Sequence, residues 1–312
     1  MCSRHVILGL LSLIRGMVHD RSAMMQPVFR FAPSPNGLLH LGHAYSALLN
    51  EQEARRHGGR LLLRIEDIDR LRSRSEHVQA IFEDLDWLGL AFDGPVRFQS
   101  AHMDDYSKAA DSLRQRGLLF ACDCTRQRVA QEAKTRALLL SDQVSTDPDG
   151  APLYAGHCLR TPPQPDQPVA WRLRMQAALQ AVAVGDLSYQ AFAGHTESGG
   201  SDWLTRPVAP QRWGDAVLLR KDIATSYHLS VVVDDALQGV THVVRGRDLE
   251  AATDLHRLLQ ALLGLPSPHY YHHDLITDAD GAKLAKSRMS KPLRLWREEG
   301  ATPQMIRSML GF

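Results

Sequence analysis

Cysteine is scarce in this chain: four in 312 residues, at Cys2, Cys122, Cys124 and Cys158. Four thiols, two of them separated by a single residue, do not make a disulfide framework, and they point to a reducing, cytoplasmic setting. Long apolar runs are missing too. No stretch approaches the roughly 20 apolar residues of a membrane-spanning helix. An excess of charge of one sign is also absent, since 36 Lys and Arg against 35 Asp and Glu leave a formal net charge of +1 and a pI near 7.8. That balance excludes a protein that coats nucleic acid by bulk electrostatics, so any RNA contact has to be focused on a local face. Internal repeats are lacking as well. What remains is ordinary globular composition, 44% hydrophobic and 23% charged, with length for one large or two modest domains.

At the N-terminus, "RHVILGLLSLIRG" combines a charged start with a short apolar run. Arg15 interrupts it and no small-residue cleavage site follows, so a signal peptide is disfavoured and residues 1–27 are expected to be a disordered extension, the alternative being that translation begins near Met24 or Met25. Further on, "VFRFAP" predicts a strand, "HLGHAYSALLNEQEARRHGG" an amphipathic helix stopped by Gly58 and Gly59, and "RLLLRIEDID" a strand covered on both faces. The order is β-α-β. Helices are predicted in "SEHVQAIFEDLDWLGL" and "HMDDYSKAADSLRQRGL", and strands return in "AVLLRK", "HLSVVVDDAL" and "VTHVVRG" before the helix "DLEAATDLHRLLQALLG". Between about 121 and 215 the composition shifts to proline-rich "RTPPQPDQP" and glycine-rich "SGGSD" with three of the cysteines, the pattern of a domain inserted in an α/β fold.

Two short motifs carry chemistry. In "FAPSPNGLLHLGHA", Pro33 and Pro35 hold the chain extended, Gly37 permits a turn, and a helix N-terminus follows with free N–H groups and about half a positive charge. That is an anion site. Gly42 lets a flat ring or phosphate approach the backbone, and His40 and His43, three apart, lie on one helix face where both can donate to phosphate oxygens. The second motif is "GAKLAKS", Gly281 to Ser287, whose Lys283 and Lys286 suit a mobile clamp bringing ammonium charge onto a reacting triphosphate. Taken singly, each also fits an ordinary surface: two partly buried histidines, or a solvated lysine pair.

Together they make the chain resemble the class I aminoacyl-tRNA synthetases, in their glutamyl branch. "RFAPSPNGLLHLGH" is similar to that family's first signature and "KLAKS" to its KMSKS loop, with "LLLRIEDIDRLR", "SYHLSVVVDD" and "GVTHVVRGRDL" in the expected order. Asn36 departs from the usual Thr, and Leu284 and Ala285 from Met and Ser, while Lys286 is kept. The resemblance implies an α/β fold: a Rossmann-like catalytic domain in two halves, 28–120 and 216–280, an inserted acceptor-end or zinc subdomain at 121–215, and a loop with a short helical segment at 281–312. It further implies attack of the glutamate α-carboxylate on the ATP α-phosphorus, with Mg2+ accompanying ATP. His40, His43 and Lys286 would be the catalytic residues, and Pro33, Gly42, Lys283 and Ser287 would join them in binding ATP. Arg30, Phe31, Ala32, Pro33, Ser34, Glu66, Tyr227 and Arg245 would hold glutamate, the guanidinium groups because arginine forms a two-pronged pair with a carboxylate. The competing reading of this region is an ordinary ion-pair network through Arg70, Asp67 and Asp69.

Cys122, Cys124 and Cys158 place three thiols where a tetrahedral zinc would gather them. From ligand chemistry alone His157 is the better fourth ligand, imidazole being commoner than phenolate. The small zinc-bearing glutamyl paralogues, however, carry a Cys-x-Cys…Tyr-x-x-x-Cys pattern, and that resemblance implies Tyr154, with one structural Zn2+. After Ser287 only 25 residues remain, too few for an anticodon-binding domain. The resemblance then narrows to truncated paralogues that activate glutamate without tRNA and attach it to queuosine in the anticodon of tRNA(Asp), working as monomers. Three other readings stand beside it: conventional glutamylation at the tRNA 3′ end, a nucleotidyltransferase with an H-x-G-H phosphate site, and a non-catalytic RNA-binding paralogue.

Overall fold

The computed structural model describes residues 26–182, 187–192, 203–276 and 291–312. Its first elements are β1 (Val28–Phe31), α1 (Leu41–Arg56), β2 (Arg60–Ile65), α2 (Ser75–Trp87), β3 (Arg97–Phe98), α3 (Met103–Gln115) and β4 (Leu119–Cys122). Next come α4 (Arg126–Leu140), α5 (His157–Arg160), β5 (Ala170–Leu173), α6 (Met175–Gln180), β6 (Ser188–Phe192), β7 (Trp203–Pro207) and β8 (Val217–Leu219). The chain continues through α7 (Tyr227–Leu237), β9 (His242–Gly246), α8 (Ala252–Leu263), β10 (His269–His273), α9 (Leu293–Glu298) and α10 (Pro303–Met309).

The β1–α1–β2 unit forms as its pattern predicts. Phe29, Leu61, Leu63 and Ile65 are buried, and Phe31 pairs in parallel register with Leu63. Gly58 stops the preceding helix in the left-handed region at φ +57°, and a Cβ on Gly59 would meet the Pro27 carbonyl oxygen at 2.6 Å. β3 continues this parallel sheet beyond β2. On the other side, β9 lies beside β1: Thr241 N donates to Val28 O at 2.9 Å and the Thr241 hydroxyl accepts from Val28 N at 2.8 Å. β10 and β6 then follow in parallel, with β7 antiparallel at the edge.

One expected strand is a helix. "HLSVVVDDAL" forms most of α7, in which Leu229, Val231, Val232 and Val233 are buried together with Asp234 and Asp235. A continuous apolar run is equally compatible with a buried strand and a buried helix. Here the helix wins because its apolar side packs with Leu255, Leu258 and Leu259 of α8 and Leu113 of α3 in the largest core cluster.

Strand pairing also groups the chain differently from its linear segments. β4, β5 and β8 make a separate antiparallel sheet, so Val217–Leu219 pairs with Ala170–Leu173, whereas β6 and β7 extend the sheet of β9 and β10. Backbone hydrogen bonding, not composition, decides these partnerships. The C-terminal helices pack onto the first sheet: Leu293 and Ile306 are fully buried with Leu39, Leu48 and Leu85, and Leu293 N donates to Leu39 O at 2.8 Å.

Asp84 on α2 is fully buried, its carboxylate oxygens have no hydrogen-bond partner among the described residues, and Arg297 of α9 stands 3.7 Å away. Burial raises its pKa to about 6, against the opposing pull of Arg297. A carboxyl whose folded pKa lies above its unfolded value stabilises the fold most at low pH, and that contribution fades as pH climbs through the folded value. Asp84→Asn should therefore raise unfolding free energy by on the order of 2 kcal/mol at pH 8, with the gain disappearing only below the unfolded pKa, at about pH 3. Thermal melts of both proteins at the two pH values check this, and an equal difference at both would contradict it.

Candidate active site

β1 and β9 are neighbours whose crossovers lead to opposite flanks, β1 through α1 to β2 and β9 through α8 to β10. Their carboxyl ends therefore open a crevice at a switch point of the sheet, the place where α/β folds bind ligands. A cavity of about 560 Å³ occupies it. Arg30, Phe31, Ala32, Pro33 and Ser34 line it from β1 and the segment after it, Glu66 from the end of β2, and Tyr227 and Arg245 from α7 and β9. His40, Gly42 and His43 line the same cavity. Lys283, Lys286 and Ser287 lie outside the described residues.

His40 is the N-cap of α1 and His43 its third residue, and the two rings close a capping box. His40 Nδ1 accepts from Gly42 N at 3.0 Å, and His43 Nδ1 accepts from His40 N at 3.2 Å. Two of the N–H groups expected to be free are thus satisfied by imidazole. With both Nδ1 atoms accepting, each neutral ring carries its proton on Nε2 as a donor. Burial lowers the pKa of His40 and brings that of His43 down to about 3, the adjacent His40 adding to the effect. The pair therefore stays neutral near pH 7.

Glycine at 42 answers to this cap. A Cβ there would meet His40 Cε1 at 2.9 Å, so the small residue makes room for the chain's own ring. Gly37 corrects an expectation: its φ is not positive and a Cβ would touch nothing within 4 Å, so the turn does not require glycine.

The other end of the cavity is built on buried charge. Arg64, with no exposed surface, donates to Asp235 Oδ1 at 2.7 Å and to Glu66 Oε1 at 3.1 Å, and Arg30 Nε reaches Asp235 Oδ1 at 3.2 Å. Burial raises the pKa of Glu66 in spite of Arg64 and Arg30, whereas for Asp235 those same arginines overcome burial and lower it. Arg245 is different. It donates to Thr253 Oγ1 at 2.8 Å and to the Tyr227 hydroxyl at 3.4 Å, and among the described residues no carboxylate oxygen lies within 4 Å of it. Glu66, Asp235 and, at 3.9 Å, Asp234 (which Arg97 also engages) thus answer Arg64 and Arg30, and of the three guanidinium groups Arg245 alone has no carboxylate within 4 Å among the described residues. An unpaired buried charge costs several kcal/mol, which a bound carboxylate would offset.

Asp67, Asp69 and Arg70 are not part of that network. Asp67 accepts from Ser100 N and Oγ, Asp69 pairs with Arg72 and Arg220, and Arg70 donates to Ser100 O. Arg64, Asp235, Thr253, His256 and His272 take the role instead. Of these, Arg64 and Asp235 carried a signal in the sequence, a charge set inside an apolar run.

A larger cavity of about 890 Å³ adjoins the first, sharing Ser34, Glu66 and Tyr227 and extending to Cys124, Tyr154 and Lys221. Cys124 stands on its far wall, and the Sγ atoms of Cys122, Cys124 and Cys158 lie within 4.8 Å of one another, with Cys124 and Cys158 3.5 Å apart. Thiolates bound tetrahedrally at about 2.3 Å sit about 3.8 Å from each other, so the cluster fits a metal ion. The Tyr154 hydroxyl is 4.0 Å from Cys124 Sγ and accepts from Cys158 N at 2.5 Å. His157 faces α4, with Nε2 2.7 Å from Arg128 Nη2 and Nδ1 3.3 Å from Glu132 Oε1. Burial disfavours the Cys122 thiolate, but a hydrogen bond from Arg172 outweighs it and lowers the pKa, whereas burial and the neighbouring thiols push Cys124 up to about 12.

No described helix is long and apolar enough to cross a membrane. Residues 27–312 match the family model for the catalytic domain of class I tRNA synthetases specific for glutamate and glutamine. The chain is 44% identical to a glutamyl-Q tRNA(Asp) synthetase of Rhodobacter capsulatus, over 91% of this chain and 99% of that protein. With a second protein of that name, from Verminephrobacter eiseniae, identity is 39% over 86% and 84%. Among solved structures, a glutamate-tRNA synthetase from Elizabethkingia anophelis shares the fold, with a TM-score of 0.66 at 24% identity over 92% of this chain. The chain spans 61% of that longer protein. It belongs to the class I tRNA synthetases of the glutamate and glutamine branch and, within them, to the glutamyl-Q tRNA(Asp) synthetase family of ligases.

Proposed function

We propose that this chain activates L-glutamate with ATP in the absence of tRNA and transfers the glutamyl group to queuosine in the anticodon of tRNA(Asp). The observation that carries the reading is Arg245, a buried guanidinium without a carboxylate partner among the described residues, in the same cavity as the H-x-G-H helix start. It matches an amino acid whose side chain brings a negative charge. A glutamate α-carboxylate oxygen attacks the ATP α-phosphorus, pyrophosphate leaves, and an acceptor hydroxyl then displaces AMP from the acyl carbon.

The protein's part is alignment and charge stabilisation. Arg30 and Arg245 hold the glutamate carboxylates, Glu66 takes the ammonium group, and Tyr227 and Ser34 complete the pocket. The Nε2–H groups of His40 and His43 donate to phosphate oxygens without first taking up a proton, and Lys283, Lys286 and Ser287 join them in binding the triphosphate. Mg2+ accompanies ATP and shields its charge. Support for the RNA acceptor comes from the relatives named as glutamyl-Q tRNA(Asp) synthetases, one of which this chain matches over nearly its whole length. The larger cavity, which runs from Glu66 to Cys124 and Tyr154, is wide enough to take the acceptor group in this reading.

Cys122, Cys124, Tyr154 and Cys158 would hold one structural Zn2+. The engagement of His157 with Arg128 and Glu132 favours Tyr154 as the fourth ligand. Purified protein should carry one equivalent of zinc, Tyr154→Phe should lower it, and His157→Ala should keep it. Metal analysis giving the opposite order would reassign the ligand.

Glutamate should support ATP–pyrophosphate exchange without RNA, and Lys286→Ala should reduce that exchange by about a hundredfold or more while retaining glutamate binding. With ATP and radiolabelled glutamate, label should pass to tRNA(Asp) that carries queuosine and not to tRNA(Asp) that lacks it. Label at the 3′ terminal adenosine would instead establish conventional glutamylation, and absence of exchange would overturn the activity.

A further inference from the structure

Arg30, Arg64 and Arg245 are all buried, and only Arg245 lacks a carboxylate within 4 Å among the described residues. Its donors meet a different set of groups. Nη2 donates to Thr253 Oγ1 at 2.8 Å, Nη1 to the Tyr227 hydroxyl at 3.4 Å and to His256 Nδ1 at 3.3 Å, and Nε to His272 Nε2 at 3.4 Å.

Donor and acceptor roles follow from the guanidinium, which only donates. His256 Nδ1 must accept, so its proton sits on Nε2, from which it donates to His228 Nδ1 at 3.2 Å. His272 Nε2 must accept too, and it also takes the Thr253 hydroxyl proton at 3.0 Å. Burial, with the charge of Arg245, holds His256 well below its ordinary pKa and His272 down at about 2, and burial raises the Tyr227 phenol. Every acceptor in this shell is neutral.

We propose that Thr253, His256 and His272 are positioning residues that set substrate specificity: they orient Arg245 through neutral acceptors alone, leaving its charge for a side-chain carboxylate and rejecting the corresponding amide. This rests on the glutamate-activation reading. Oriented by carboxylates, as Arg30 and Arg64 are, Arg245 would sit as firmly with its charge already answered. A γ-carboxylate would then gain little over a γ-amide. With neutral partners, an amide ligand leaves the buried cation uncompensated, a penalty on the amide that contact area alone does not supply.

The test compares a charged and a neutral replacement at one position in the full chain, using ATP–pyrophosphate exchange with glutamate and with glutamine. His272→Glu should raise KM for glutamate about a hundredfold, move kcat and the KM for ATP by less than about threefold, and cut the glutamate-to-glutamine ratio of kcat/KM about a hundredfold. His272→Gln, which keeps a neutral acceptor, should hold that ratio within about fivefold of the parent. Where melting shows that a His272 variant fails to fold, Thr253→Asp against Thr253→Asn makes the same comparison. Equal loss of the ratio in the charged and neutral variants would overturn the proposal and leave these residues a packing role. Exchange absent from the unaltered chain would instead overturn the activity reading itself.

Discussion

The ion lattice centred on Arg64 is the interaction on which the rest of the cavity depends. Its guanidinium rises from the middle of β2 and joins Glu66 at that strand's end to Asp235 on α7, and Asp235 passes the link on to Arg30 of β1. One buried cation thus ties two adjacent strands to a helix some 170 residues further along. Removing these carboxylates together would leave a charge with no exposed surface poorly compensated, which is far costlier than losing a surface ion pair. Asp234 completes the arrangement from the other side, accepting from Arg97, Gln99 and Tyr106.

Much of this was legible in the chain. The β1–α1–β2 unit announced itself because alternation, helical spacing and a glycine stop agree over residues 28–65. The H-x-G-H stretch identified the mouth of α1, and the Cys122, Cys124 and Cys158 spacing identified three thiols that meet in space. The strand expected at "HLSVVVDDAL" failed for a physical reason: three consecutive valines satisfy a buried helix as readily as a strand when helices surround them.

Other features depend on contacts no local pattern can announce. That Ser188–Phe192 and Trp203–Pro207 join the sheet of β9 and β10 rests on pairing with strands far along the chain. Thr253, His256 and His272 come to Arg245 from α8 and β10, and nothing at their own positions marks them. That a Cβ on Gly42 would meet the ring of His40, two residues away, is likewise visible only in the folded helix start.

The cap of α1 has a consequence for how such a chain can change over generations. The imidazole groups that satisfy the first turn of the helix are the ones that, on the function proposed above, meet the triphosphate, so on that proposal folding and catalysis draw on the same two side chains. A substitution at His40 or His43 is screened twice, once for a stable helix and once for turnover. Drift that elsewhere trades a little stability for a little activity has no such exchange to make here. On that proposal, innovation in this architecture is steered away from the helix start and towards the walls of the crevice.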